Sequence, residues 1–397
     1  MIADKLLAEK ISLETHNGYW ACSGHYFFNK QECMKFATAR KDFNITFHLF
    51  DAAYGSLDWT KEPTYSIDTL YEMRAKQIRD KYDYVIVMFS GGADSGNVLD
   101  SFLNNNVHID EIVSYYPLEI IDKNLSSFNP ADKSNGKILF EYKTACEPRL
   151  KEIAKTHPNI KITILDYGQE AMDAIIEEKL QKHMMAGIAP MPINQGHVSV
   201  TKLMKERSEK YNKVCCVTGT DKPRVMFNPV TRKFGSYFAD TSYFFFKTTI
   251  DGYQPKVEWF YHTPDLPEIT YTQSHMIKRV YQQWLTQEPR PTHVKDMIWT
   301  SKMKNEVIEP HTPFMKKLLY KNYNVNLWQA DKSDGFFYTA WFHSGLPGTI
   351  ETGSRADSFY EGQLKEFQHG IDRRLIRHNN RGTAVDFESV ISKVYWF

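Results

Sequence analysis

The sequence predicts an α/β fold: a parallel sheet wound on both faces by helices, preceded by an N-terminal α+β stretch and followed by a mixed or mostly helical region. Three observations carry this. Between residues 84 and 218, short apolar runs alternate with longer segments of helical periodicity, as in βαβ units of a parallel sheet covered on both faces. The first run ends in Ser90-Gly91-Gly92, immediately before a helical segment. Beyond about residue 225 the alternation dissolves into sequence rich in aromatics and prolines.

Taken in order, residues 1–80 hold aromatic-rich strand candidates at 18–28 and 44–50, a helix at 31–41 and a better-marked helix at 66–82. The last begins at Ser66 with Asp68 close by, and Leu70, Met73, Ile78 and Tyr82 approximate one apolar face that braces the sheet. The run 84–89 (YVIVMF) reads as a buried parallel strand, and 95–106 as a helix stopped by three asparagines. Glu111–Tyr116 is a second strand, 134–157 a long helical pattern closed by His-Pro-Asn, and Lys161–Asp166 a third strand. Helices follow at 169–185 and 197–211, then a fourth strand, Val214–Thr218. Crossovers between such strands are right-handed. In the C-terminal region the helical candidates are 274–287 and 312–323, the latter opened by Thr312-Pro313. The expected division is 1–80, 81–228 and 229–397.

A chain of 397 residues buries a core without help from disulfides or metals. A net charge of +1 supplies no global field towards nucleic acid or membrane. The five cysteines, Cys22, Cys33, Cys146, Cys215 and Cys216, contain no CxxC and are odd in number, which argues against a disulfide framework or zinc ribbon. The opening MIADKLLAEKI interrupts every apolar run with charge, unlike a signal peptide, and no stretch reaches the roughly 18 apolar residues of a membrane span. The expected location is cytoplasmic, with no membrane partner.

The chemistry is concentrated in Ser90-Gly91-Gly92-Ala93-Asp94-Ser95. Two adjacent glycines let consecutive amides converge on one anion, and the helix that follows aims its free N–H groups and positive dipole end at the same point. Ser90 and Ser95 add hydroxyls. Asp94 beside a phosphate calls for a divalent cation between them, which points to Mg²⁺. The lysine of a Walker A loop is absent, as is GxGxxG.

This segment resembles the SGGxDS motif of the PP-loop superfamily, the N-type ATP pyrophosphatases, with their adenine nucleotide alpha hydrolase-like or phosphoadenosine phosphosulfate reductase-like fold. The resemblance spans roughly residues 83–225. It implies a five-stranded, HUP-like sheet of order 3-2-1-4-5, with ATP and Mg²⁺ as cofactors, ATP lying across the carboxyl ends of the strands. Ser90, Gly91, Gly92, Ala93, Asp94 and Ser95 would then hold phosphates. Adenine would meet backbone groups at Val113, Ser114 and Tyr115, with Tyr115 or Met88–Phe89 covering the base.

After the fourth strand, Thr218-Gly219-Thr220-Asp221-Lys222-Pro223-Arg224 resembles a loop that relatives place beside the nucleotide. Gly219 would approach it, Asp221 would join Asp94 as a metal ligand, and Lys222 or Arg224 would stabilise charge on pyrophosphate. The alternative is a surface turn punctuated by Pro223.

Absent residues narrow the chemistry. No cysteine follows Cys216, unlike the reductases; Cys215-Cys216 sits inside an apolar strand, where thiols are inert; and Met1-Ile2 lacks the glutaminase nucleophile of asparagine-type synthetases. No general base stands out among His183, His197, His262 and His275, which read better as structural or surface residues. The expected activity is adenylation of a carboxylate or carbonyl oxygen, with AMP and pyrophosphate released and an amine or ammonia as nucleophile. The substrate is a small molecule or nucleoside. Two alternatives stay open: modification of a base in tRNA or DNA, for which the aromatics and the arginines of 372–381 offer stacking and phosphate contacts, and ATP binding by a regulatory protein without turnover. A hydrophobic core and a solvated helix end explain those aromatics and arginines better than nucleic acid does.

Overall fold

The computed structural model describes residues 18–28, 30–42, 44–119, 142–170, 193–219, 222–240, 250–286, 298–300, 305–308, 313–323, 376–378, 385–387 and 390–397. Near the N-terminus β1 (Tyr19–Cys22) pairs antiparallel with both β2 (His25–Phe27) and β3 (Thr46–His48). Helix α1 (Lys30–Arg40) lies against this small sheet, and the short α2 (Asp51–Gly55) follows it. Trp20, Phe47, Leu49 and Tyr54 form a core there with Phe238, Trp259 and Tyr395, so the first and last parts of the chain share one apolar cluster.

Helix α3 (Ile67–Lys81) starts at Ser66, whose hydroxyl accepts from the Thr69 amide at 3.1 Å. Its buried face is Leu70, Tyr71, Arg74, Ala75 and Ile78. Met73, expected on that face, is 39 % exposed, and Arg74 takes the inward place. A buried guanidinium is tolerable only when paired and hydrogen-bonded. Arg74 donates to Glu258 at 2.7 Å, to the Trp259 carbonyl at 2.9 Å and to Gln77 at 2.8 Å. Two of those three partners lie on a distant strand, so α3 is clamped to the sheet by charge as well as by packing.

The main sheet is all-parallel. β4 (Tyr84–Met88), β5 (Glu111–Tyr116), β6 (Lys161–Asp166) and β7 (Val214–Thr218) are the strands the apolar runs predict. After an antiparallel hairpin, β8 (Arg224–Asn228) and β9 (Lys233–Tyr237), the chain returns and β10 (Val257–Trp259) pairs parallel with β7. Across the sheet the order is β6-β5-β4-β7-β10; counted in chain order within the sheet, that is third, second, first, fourth, fifth. The fifth strand thus comes from beyond residue 228, where the periodic pattern had already dissolved. Three residues are too few to carry a readable alternation.

Helices cover both faces. Val85, Val87, Ile112 and Val217 pack with α3, with Val98, Leu99 and Phe102 of α4 (Ala93–Leu103), and with Leu150 and Ile153 of α5 (Glu147–Thr156). On the opposite face, Ile86, Met88, Val113 and Cys216 meet Val200, Leu203 and Met204 of α6 (Ile193–Ser208). At the amino end of β5, buried Glu111 accepts from Arg207 at 2.8 and 3.1 Å and from the Tyr84 hydroxyl at 2.8 Å. This anchors α6 at the end of the sheet away from the glycine turn.

Helix α4 begins two residues before the expected 95, and α5 is preceded by one π-helical turn, Tyr142–Cys146. Most of the expected helix at 169–185, and the start of that at 134–157, lie outside the described residues. The C-terminal region is mixed rather than mostly helical among the described residues. It contributes α7 (Glu268–Thr286) and α8 (Pro313–Leu319). It also supplies β11 (Ile298–Thr300), β12 (Asn305–Ile308) and, after the paired β13 (Ile376–His378) and β14 (Val385–Phe387), β15 (Tyr395–Trp396). The second sheet runs β11-β12-β8-β9-β15. Among the described residues no helix is long and apolar enough to cross a membrane.

Candidate functional site

The glycine turn stands at the carboxyl end of β4, the middle strand of the parallel sheet. Gly91 has φ +77°, a left-handed conformation that side chains resist, and a Cβ there would lie 2.9 Å from Cys146 Cβ. Glycine is required twice over: by the backbone angle and by the neighbour. Gly92 is the N-cap of α4 and offers no side chain to the first-turn amides. The first amide bonded back into the helix is that of Gly96, donating to the Gly92 carbonyl at 2.8 Å. The helix therefore starts with its positive end uncapped by any side chain.

The two serines shape the turn. Ser95 Oγ accepts from the Ser90 amide at 3.1 Å, lies 3.1 Å from Ser90 Oγ and donates to the Gly92 carbonyl at 3.2 Å. The Gly92 amide reaches Ser90 Oγ at 3.4 Å. Tyr116 donates its hydroxyl to the Ser90 carbonyl, fixing the turn to β5. Ser90 is exposed, Gly91, Ala93 and Asp94 are half-buried, and Gly92 and Ser95 are buried.

Asp94 is held from three sides. The ammonium of Lys222, fully buried, pairs with Asp94 Oδ1, and the Tyr320 hydroxyl donates to the same oxygen at 2.6 Å. The Tyr261 hydroxyl donates to the Asp94 carbonyl at 2.8 Å and accepts from Asn97 Nδ2 at 3.0 Å. Burial alone would raise the Asp94 carboxyl; the charge and hydrogen bond of Lys222, the Tyr320 hydroxyl and the charge of Lys316 outweigh it and hold Asp94 below its usual value. Burial and then the Asp94 charge push Tyr320 well above the ordinary phenol range, so it stays a hydrogen-bond donor.

Gly219 closes the site from β7. A Cβ on it would come within 2.7 Å of Val98 Cγ2 and 2.8 Å of the Asp94 carbonyl oxygen, so the end of β7 touches the start of α4. The structure thus brings Ser90, Gly91, Gly92, Ala93, Asp94, Ser95, Gly219 and Lys222 together. Arg224 opens β8, half-buried, with its backbone paired to Tyr237. Asp221, the expected second metal ligand, lies outside the described residues, as does His183.

The expected adenine contacts divide between the two faces of the sheet. Val113 is buried against α6, and Tyr115 packs near Tyr167 and edge-on to His197 at 5.8 Å. Ser114 faces the other way, donating to the Phe89 carbonyl at 2.5 Å. Phe89 belongs to the core beneath α4, and Met88 to that beneath α6. Of the candidate histidines, the three that are described, His197, His262 and His275, have structural settings. His197 is buried and its pKa falls to about 3; His262 is buried edge-on to Phe238; His275 bonds the Trp59 carbonyl at 3.1 Å and stacks on Phe397. Cys215 and Cys216 are buried, and burial pushes both thiols far up.

Beside the turn lies a cavity of about 150 Å³, lined by Phe89, Gly91, Ala93, Asn97, Tyr320 and neighbours. Sequence reasoning missed Tyr261, Tyr320 and Cys146. Tyr320 lies 226 positions from Asp94, and the only sign of it was the aromatic richness of the C-terminal region. Among the described residues no group of three or more His, Cys, Asp or Glu side chains is placed to hold a metal unaided. No family model matches this chain, and no curated protein matches it either.

Proposed function

We propose that this chain is an ATP pyrophosphatase of the PP-loop type, with a HUP-like nucleotide domain, releasing AMP and pyrophosphate as it adenylates a carboxylate or carbonyl oxygen. One observation carries the reading: the uncapped start of α4, entered through Gly91 at φ +77°, stands at the carboxyl end of the central strand with the ionised Asp94 beside it. Open parallel sheets bind ligands at that end, and an uncapped helix start favours phosphate.

The residues fit a nucleotide triphosphate and a magnesium ion in different degrees. For the phosphates, the amides of the first turn of α4 and the Ser90 hydroxyl supply donors. For magnesium, the described residues supply one carboxylate, Asp94, whose Oδ1 is engaged by Lys222 and Tyr320. That suits an ion that takes one or two carboxylates and completes its shell with phosphate oxygens and water. Bound there, Mg²⁺ would offset charge on the phosphates. Lys222 and Tyr320 keep Asp94 ionised and fixed in direction. The α4 dipole and amides hold the leaving pyrophosphate, and the protein contributes by positioning and electrostatics. Gly219 lets β7 close against the turn.

The test is the product pair. Incubation with α-labelled and γ-labelled ATP, with the candidate acceptor classes in parallel, should give labelled AMP and labelled pyrophosphate. ADP with phosphate would contradict the reading. AMP and pyrophosphate failing to appear with any acceptor, while ATP still binds, would favour the regulatory alternative.

A further inference from the structure

The two edges of the parallel sheet are finished differently. β10 is three residues long, with Glu258 and Trp259 buried and Glu258 held by Arg74 and Lys81 of α3. β6 is six residues long, and none of them is buried. Ile164 is 41 % exposed. Among the described residues β5 is the only strand beside β6. Such an edge presents a row of unpaired main-chain donors and acceptors, which proteins commonly guard with proline, a bulge or charge. β6 has no proline, and its register with β5 runs unbroken from Lys161 to Asp166. Its two charges stand at the ends and are turned back into their own chain. Lys161 lies 3.5 Å from Glu111, and the Asp166 carboxylate accepts from the amides of Glu119 at 2.7 Å and Gly168 at 2.9 Å.

The direction of the open groups follows from the ladder. The Lys161 amide donates to the Asp110 carbonyl at 3.1 Å, and the Tyr167 amide to the Tyr116 carbonyl at 3.3 Å. Hydrogen-bonding direction alternates along a strand, so the odd-numbered residues face β5. Ile162, Ile164 and Asp166 therefore turn their N–H and C=O groups outward.

The middle of this edge, Ile162-Thr163-Ile164, reads the same in both directions. A two-fold axis through Thr163, normal to the sheet, sets Ile162 opposite Ile164 of a second copy, and Ile164 opposite that copy's Ile162. The outward N–H and C=O groups of both isoleucines are then paired, the two threonines meet across the axis, and Ile164 is covered. Cross-strand pairs of β-branched residues and of threonines are favourable ones.

We propose that β6 is the interface of a two-fold dimer of this chain, its edge pairing antiparallel with the same edge of a second copy about Thr163, so that the two parallel sheets join into one. A second copy is the occupant because this pairing needs the same palindromic edge on both sides, and closed two-fold dimers are the commonest assemblies of identical chains. The proposal is independent of the nucleotide reading.

Light scattering after gel filtration gives the mass of the parent chain and of Ile164→Lys, from micromolar to near-millimolar concentration. Lysine is well tolerated on an exposed edge strand, so Ile164→Lys should keep the parent melting curve. The parent should be a dimer, and Ile164→Lys should dissociate about tenfold more readily, through the loss of two apolar cross-strand pairs. Oxidation of two cysteine variants, each checked by melting, reads the register. Directly opposed, non-hydrogen-bonded residues of an antiparallel pair have Cα atoms about 4.5 Å apart, and diagonal ones about 7–8 Å. Thr163→Cys should therefore form an intermolecular disulfide, and Ile164→Cys, whose two copies lie on a diagonal, should not. A parent that stays monomeric at every concentration overturns the proposal, as does a dimer unaffected by Ile164→Lys. So does cross-linking through Thr163→Cys that fails, or that is no more efficient than through Ile164→Cys.

Discussion

The buried ammonium of Lys222 and the carboxylate of Asp94 form a direct ion pair, although 128 positions separate them in sequence. Lys222 has no exposed side-chain surface, whereas the Asp94 side chain is 26 % exposed. The two ends of the pair therefore answer differently to mutation.

Asp94→Ala leaves a buried ammonium without its partner, a change that costs about 3–5 kcal/mol in fully buried pairs and less where water reaches one side. Asp94→Ala should therefore lose stability as well as turnover, and urea denaturation reads the first of these directly. Lys222→Met leaves a carboxylate that can still hydrate, and should cost less. Urea denaturation of both variants and the double variant should show the double recovering part of the Asp94→Ala loss. Additive losses would mean that the pair is not coupled.

Acid should weaken this part of the molecule. The folded state holds Asp94 below its usual value of 3.8, so the pair contributes full stability above that value. That contribution disappears as pH falls from there through the lower folded-state pKa. The urea midpoint of the parent chain should therefore fall below about pH 4 by more than that of Asp94→Asn, which has no such proton to bind. Parallel curves would remove the pair from the acid response.

Two glycines should respond in distinguishable ways. Gly91→Ala meets both a left-handed backbone, about 1–2 kcal/mol for a residue with a Cβ, and the Cys146 Cβ at 2.9 Å. Gly219→Ala has no positive φ and meets only neighbours, Val98 at 2.7 Å and the Asp94 carbonyl oxygen at 2.8 Å, for about 1–3 kcal/mol of overpacking. Val98→Ala should rescue part of the Gly219→Ala loss and none of the Gly91→Ala loss, as read from melting temperatures.

All five cysteines are free and buried, so a thiol reagent at pH 8 should react slowly with the folded protein and with five thiols in denaturant. Fast modification of Cys215 or Cys216 would reopen sulfur-transfer chemistry.

How much of this was legible in sequence depended on how local each feature is. The strands β4 and β7 were readable because each is a continuous apolar run, β5 and β6 because short β-branched and aromatic stretches stand between helical segments, and the glycine turn because its residues are contiguous. β10 was not, being three residues that pair with β7 only after an intervening hairpin. Met73 and Arg74 were exchanged in the reading of α3 because Arg74 turns inward to Glu258, a partner that helical periodicity cannot reveal. Lys222 was readable as a charge near the site but not as the partner of Asp94. Tyr261 and Tyr320 had no local signature at all.

The most direct measurement is a crystal structure of the chain with α,β-methylene-ATP and Mg²⁺. Phosphate oxygens within hydrogen-bonding distance of the amides between Gly91 and Ser95, with the cation on Asp94, are what the account predicts. Phosphates bound elsewhere, or a turn whose amides face away from the nucleotide, would contradict it.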